Sequence, residues 1–306
     1  MMKLIATAES VDQAQTLIDS GVDELIIGEE VFGLRLPGYL SMAEMEQVID
    51  AAHQAGKRVL IAMNAILHND KIKQARPFLK SVKALGADGL TVGDTGLVQI
   101  LKDPTYHLPY LYDASVLVTS AGQVNFWAQF GAEKALVARE VPFVELEDML
   151  KMATIPLVYQ VYGPSCIHQS KRPLLENYFN YVNKEPQAIT DRQLFLSEPN
   201  REDSHYSIYT DSHGTHIFAN KDLNLIRHLE TLAHSGLDYC YLDGLFSSPE
   251  GFVQVVKAFL KARQAIKAGQ VTADLLDHLD QTIQSAHPHN RELDTGFFLY
   301  EASTVQ

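Results

Sequence analysis

Five stretches of this chain share one pattern: Gly21-Val-Asp-Glu-Leu-Ile-Ile27, Gly56-Lys-Arg-Val-Leu-Ile-Ala62, Gly86-Ala-Asp-Gly-Leu-Thr-Val92, Gly131-Ala-Glu-Lys-Ala-Leu-Val137 and Gly236-Leu-Asp-Tyr-Cys-Tyr-Leu242. Each reads as the end of a helix followed by a strand. Glycine suits the residue after a helix because that position often turns left-handed, where other side chains clash through Cβ. Upstream of two of these glycines the spacing is helical. Met45, Val48, Ile49 and Ala52 fall at i, i+3, i+4, i+7, as do Ala75, Phe78, Leu79 and Val82, so each helix turns an apolar stripe toward a sheet.

Working outward from these junctions gives strands at 4–7, 24–27, 59–63, 90–92, 110–112, 135–138, 157–161 and 239–242. Eight short apolar strands separated by helical patterns, repeating every ~30–45 residues, point to an α/β fold: a (β/α)8 TIM-like barrel. A doubly wound open sheet is the competitor, and no G-x-G-x-x-G turn follows the first strand to favour it. The repeat breaks once, between strand seven and its helix. The chain therefore reads as one barrel domain over 1–306 with a cap insertion at 163–221 and a C-terminal helix and tail at 270–306. Pro164, Pro173, Pro186 and Pro199, among aromatic residues, suggest that the cap packs irregularly.

Composition narrows the function. Of 306 residues 46% are hydrophobic and 21% charged, enough apolar material for a large core. No apolar run approaches the roughly 18 residues that span a bilayer, and the opening turns polar by Thr7 to Ser10, so we expect no membrane association and a cytoplasmic location. Two cysteines, Cys166 and Cys240, exclude a disulfide framework and a four-thiolate cluster from this chain alone. The net charge of −13 repels phosphate backbones, so RNA would need a local basic patch or a partner protein.

Chemistry in such a barrel sits just past the strands' C-terminal ends. Those positions hold Glu9, Glu29, Glu30, Asn64, Asp94, Asp113, Ser115, Arg139, Glu140, Tyr162 and Asp243. Arg139, Glu140, Asp113, Asp243, Asn64 and Tyr162 are the catalytic candidates. A buried strand-end arginine needs carboxylates or an anionic ligand, so Arg139 doubles as a substrate contact. Lys171, Arg172 and Asn177 in the insertion are further substrate-binding candidates. No cofactor is evident; a divalent metal on Glu29, Glu30 and Asp94 is the alternative use of the carboxylates. The bland reading is helix capping, which Ser10, Ser41 and Asp94 fit directly. Cys166 with His168 only loosely resembles a nucleophile and base, and His213-Gly-Thr-His216 lacks a third metal ligand.

Several separated blocks resemble peptidase family U32, the collagenase-like proteases. They are Ala6 to Ser10 with Gly21-Val-Asp; Phe32-Gly-Leu-Arg35; Val137-Ala-Arg139-Glu140; Gln160-Val-Tyr-Gly163-Pro-Ser-Cys166 through Ser170-Lys-Arg172-Pro-Leu-Leu-Glu-Asn177-Tyr-Phe; His213 to Ile217; Leu242-Asp243-Gly244; and Arg291 to Phe298. They look like the short, roughly 300-residue form. Many members have glutamate and histidine where this chain has Gln160 and Tyr162, and Glu-Gly-Arg near Asp243-Gly244-Leu245. Iron–sulfur members carry four cysteines, of which Cys166 matches the first while Pro173 stands at the second. The resemblance thus implies no iron–sulfur cluster here.

For function it implies a part in hydroxylating tRNA wobble uridine at C5, together with a longer, cluster-bearing paralogue that would bring the tRNA. The alternatives are a peptidase (hydrolase) of unassigned catalytic type and a non-catalytic scaffold subunit of a heterodimer. A homo-oligomer is the other expected assembly.

Overall fold

The computed structural model describes residues 2–113, 118–185 and 189–304, apart from the side chains of 202, 203 and 304. Ser115 and Pro186 lie outside the described residues. The barrel part of the chain runs β1 (Lys3–Thr7), α1 (Val11–Ser20), β2 (Glu24–Ile27), α2 (Met42–Gln54), β3 (Arg58–Met63), α3 (Asn69–Ala84), β4 (Gly89–Val92), α4 (Thr95–Leu101), β5 (Tyr110–Tyr112), α5 (Ala121–Ala128), β6 (Ala132–Leu136), α6 (Phe143–Met152) and β7 (Leu157–Gly163). The cap follows with β8 (Cys166–Ser170), α7 (Leu174–Tyr181), β9 (Phe195–Glu198), β10 (Arg201–Asp211), β11 (Gly214–Phe218) and β12 (Lys221–Asn224). The chain then returns through α8 (Leu229–His234), β13 (Tyr239–Leu242), α9 (Pro249–Ala268), α10 (Ala273–Ala286) and β14 (Glu292–Asp294).

Strands β1 to β7 pair in sequence order and in parallel, and β13 closes the ring by pairing with both β1 and β7. The fold is the closed eight-stranded barrel that the junctions imply. All five junction glycines have positive φ, from 67° to 106°, the left-handed turn the sequence pattern requires. The stripes bury Met45, Val48, Ile49 and Ala52 on α2 and Ala75, Leu79 and Val82 on α3. Ser10, Ser41 and Asp94 each accept a backbone N–H at a helix start.

Two departures from the sequence reading have physical causes. Strand β6 begins at Ala132, three residues before the expected Ala135, because Lys134 points into the barrel instead of to solvent. There it forms an ion pair with Glu24; both side chains are at most 4% exposed, and Arg58 lies 3.7 Å from the same carboxylate. The cap is also regular. It holds a four-stranded antiparallel sheet in the order β8-β11-β10-β9, with its hairpin turned by Asp211, whose carboxylate accepts the His213 N–H, and by Gly214 at φ 117°. A Cβ at Gly214 would sit 2.1 Å from the Ser170 carbonyl oxygen.

The tail returns to the cap. Strand β14 pairs with β12, and β12 pairs antiparallel with the end of β7. Arg291, 6% exposed, bonds Asp222 through Nε at 2.8 Å and through a terminal nitrogen at 2.5 Å, and also bonds Ser207 and the Ala219 carbonyl.

The Glu24–Lys134 pair gives a stability test. Lys134→Met leaves the buried Glu24 carboxylate with only the partly exposed Arg58, 3.7 Å away, and should cost about 3 kcal/mol in urea denaturation, while adding Glu24→Leu should recover most of the loss. An unchanged midpoint in Lys134→Met would show that the pair carries no such load.

Candidate functional site at the barrel mouth

Alternation along the strands sends Ile5, Ile26, Leu60, Leu111, Leu136, Val158 and Tyr239 to the barrel axis, where they form an inner apolar cluster. Two residues further along four of these strands the inward positions turn polar, at Thr7, Asp113, Gln160 and Tyr241, and one repeat beyond Ala62 and Tyr241 come Asn64 and Asp243. Asn64 donates to Asp113 Oδ2 at 2.7 Å and accepts the Leu34 N–H at 2.9 Å. Gln160 donates to the carbonyls of Tyr162 and Pro164, both at 3.2 Å.

Arg139 spends its two terminal nitrogens on the carbonyls of Pro164 (3.3 Å) and Cys166 (3.2 Å), while its Nε is buried without a hydrogen bond. Burial and the nearby Arg35 weaken its hold on its proton; Cys166, Glu140 and Asp243 act the other way. Burial lifts the Asp243 carboxyl to about 7, against the Leu245 N–H that it accepts at 3.0 Å and the charges of Arg139 and Arg35. The Tyr241 phenol is pushed well up by burial and then by Asp243 and Asp113. Arg139, Asp243, Asp113 and Asn64 thus gather with Arg35 and Tyr241 at one mouth. A carboxyl that exchanges its proton near neutral pH beside two guanidinium groups can hold a small anion and move a proton on it.

Other sequence candidates go elsewhere. Tyr162 should follow Val158 and Gln160 inward, but a bulge where β7 meets β13 breaks the alternation and turns it toward the helices. There it is 1% exposed against Phe252 and Phe259, with its hydroxyl 2.8 Å from His287 Nδ1. Glu140 keeps Oε2 buried without a partner and lines a cleft of about 490 Å³ with Arg139, Arg201, Tyr206 and Tyr300. Lys171, Arg172 and Asn177 are exposed on the cap, with the Lys171 ammonium on the Ser212 carbonyl at 2.7 Å.

The carboxylates of the metal alternative are each placed separately. Asp94 accepts two backbone N–H groups, from Leu97 and Leu67, Glu29 accepts that of Phe32, and Glu30 is exposed. Among the described residues no three His, Cys, Asp or Glu side chains gather to hold an ion. His213 donates its Nε2–H to the Glu30 carbonyl, 2.8 Å away, whereas His216 pairs with Asp211.

Two mouth residues escape the sequence reading. Tyr241 was legible from period two, lying two positions before Asp243. Arg35 follows Phe32-Gly-Leu, takes a left-handed φ of 55° and donates to Gln169 of β8 at 2.8 Å, tying the β2 loop to the cap. A non-glycine residue there costs about 1–3 kcal/mol and persists where its surroundings demand it.

The family model of peptidase family U32 matches residues 9–305. The chain belongs to this family. It is 31% identical to the tRNA hydroxylation protein P2 of Bacillus subtilis, across 98% of both chains. It is 24% identical to the tRNA hydroxylation protein P of Escherichia coli, covering 88% of this chain and 69% of that one. The tRNA hydroxylation protein P1 of Bacillus subtilis is 21% identical, over 97% of this chain and 70% of its own length. The solved U32 peptidase Mk0906 superimposes with a TM-score of 0.52 over 79% of this chain and 92% of its own; at 17% identity that speaks for the fold alone. Among the described residues no helix is long and apolar enough to cross a membrane.

Asp243 sets a pH dependence. The folded carboxyl keeps its proton up to about pH 7, while an unfolded aspartate releases it near 3.8, so folding takes up a proton between these values and stability falls as pH rises through that window. Relative to Asp243→Asn, the wild type should lose roughly 2–4 kcal/mol between pH 4 and 7.5 in urea denaturation. Parallel pH profiles would place the carboxyl in its ordinary range.

Proposed function

We propose that this protein takes part in the 5-hydroxylation of wobble uridine in tRNA, working beside a longer member of the same family. The observation that carries this reading is the end-to-end likeness to the Bacillus subtilis protein P2. That bacterium also has a P1 protein, and this chain covers 70% of its length, so a short and a longer form occur together there. The mouth suits a role of this kind. Arg139 and Arg35 would orient a small anionic molecule, and Asp243 would give or take a proton on it.

In this reading the partner makes the main grip on tRNA, which a net charge of −13 on this chain supports. An iron–sulfur cluster would also be the partner's. Cys166 stands in the cap, whereas Cys240 is fully buried on the helix side of β13, 3.1 Å from Met2 Sδ, so this donor set does not fit a four-thiolate cluster. Peptide hydrolysis is the weaker reading, since a polypeptide would have to reach a mouth roofed by the cap.

Deleting the gene together with that of the longer relative should abolish 5-hydroxyuridine-derived nucleosides in total tRNA measured by mass spectrometry. Wild type should restore them, and Arg139→Ala and Asp243→Asn, at equal protein levels, should restore less than a tenth. Unchanged nucleosides in the double deletion would end the tRNA reading; full rescue by both variants would move the site away from the mouth.

A further inference from the structure

The inner face of the cap sheet brings together three side chains that lie far from one another in type and use along the sequence. Cys166 opens β8, Asp211 ends β10, and His216 lies in β11. Antiparallel pairing sets Phe218 opposite Cys166, so His216, two residues before Phe218, shares the face that carries Cys166 and Tyr209. His216 is fully buried, and its Nε2 is 2.9 Å from Asp211 Oδ1. Its Nδ1 is buried without a hydrogen bond, on the same sheet face as the Cys166 side chain. His168, which in sequence resembles a base for Cys166 only loosely, has its ring exposed, and its backbone carbonyl accepts the Cys166 thiol at 3.3 Å.

We propose that Cys166, His216 and Asp211 form a thiol-based reactive site beneath the cap, with Cys166 the nucleophile, His216 its base and Asp211 the residue that positions the imidazole, open to small anionic electrophiles. The order is that of a nucleophile, a base and an orienting carboxylate, whose apo contacts are often loose. The thiol shares Arg35 and Arg139 with the mouth, but its reactivity does not depend on the tRNA reading.

Charges from every side favour the thiolate. Burial alone would raise the thiol, but His216 on β11, Arg35 from the β2 loop and Arg139 at the end of β6 outweigh it and hold Cys166 below its ordinary range. Burial also opposes charge on His216, yet Asp211 and Cys166 together raise it, with Arg35 acting against them. Asp211, lifted by burial, is brought below its usual value by His216 and by His213 with its backbone N–H. Cys240 has only burial around it apart from Arg263, and its thiol is pushed far up.

The ligand class follows from access and charge. Cys166 is 6% exposed, so a polymer does not reach it, and the two arginines with the unpartnered Arg139 Nε select a carboxylate or similar anion. In the step itself the thiol proton passes to His216 and sulfur bonds to the electrophilic carbon. The leaving group departs with its electron pair and takes the proton from His216 where it is basic enough to need one.

Two cysteines make the test direct. The folded full-length protein is treated with iodoacetate or iodoacetamide from pH 5 to 9, and each cysteine is followed by peptide mass spectrometry. Iodide is the leaving group. Cys166 should be modified at least tenfold faster than Cys240, half-maximally below the ordinary thiol value of about 8.5, with iodoacetate favoured over iodoacetamide more than it is for free cysteine. His216→Gln should return the pH profile to that of an ordinary thiol, and the near-isosteric Asp211→Asn should move it part of the way. The iodoacetate preference needs no variant, so the idea stays testable if His216→Gln fails to fold. A Cys166 as inert as Cys240, a profile like that of free cysteine, or a profile unmoved by either variant would overturn it.

Discussion

Pairing β13 with both β1 and β7 removes the free edges of the sheet and leaves the inward side chains in contact with water only at the two ends of the barrel. Everything polar inside must then be matched within the protein or placed at an end. At the lower end Glu24 and Lys134 neutralise each other, with the Tyr239 ring 4.3 Å from the ammonium. The middle is aliphatic. At the upper end the pairing is incomplete: Arg139 keeps a buried nitrogen without a partner, and Asp243 holds its proton to about pH 7. A mouth with charge left over is where a ligand gains most from binding, because its charge replaces missing partners instead of competing with existing ones.

The cap completes this enclosure by the same rule. Its inner face carries Tyr209, Phe218 and Cys166 against Leu245 and Phe246, just after β13. Arg35 and Arg139 cross the boundary, the first to a side chain of β8 and the second to the carbonyls of Pro164 and Cys166. Both arginines therefore read the position of the cap as well as the contents of the mouth.

The barrel was legible because its signals are local: a left-handed glycine, then a short apolar strand, five times over. Arg139, Asn64, Asp113 and Asp243 were legible as strand-end positions once the strands were placed. Tyr162 was not, since a one-residue bulge reverses a side chain's face and leaves no mark in hydropathy. The start of β6 was hidden because Lys134 looks like solvent-facing sequence until its partner, Glu24, 110 positions away, is known. His216 was missed as the companion of Cys166 because the relation is a pairing register between two strands and does not appear in sequence spacing. The Asp211-Ser-His-Gly214 turn, flanked by aromatic residues, was the available sign of a hairpin in a segment that proline content suggested was irregular.

Arg291 ties Asp222, 69 positions earlier, and Ser207, 84 positions earlier, into one buried knot near the chain's C-terminal end. During synthesis the barrel strands and the whole cap sheet emerge before this arginine does. Until it arrives, Asp222 is an acid without its cation and β12 has an open edge. The cap therefore gains this tie only once the C-terminal segment has folded back onto it.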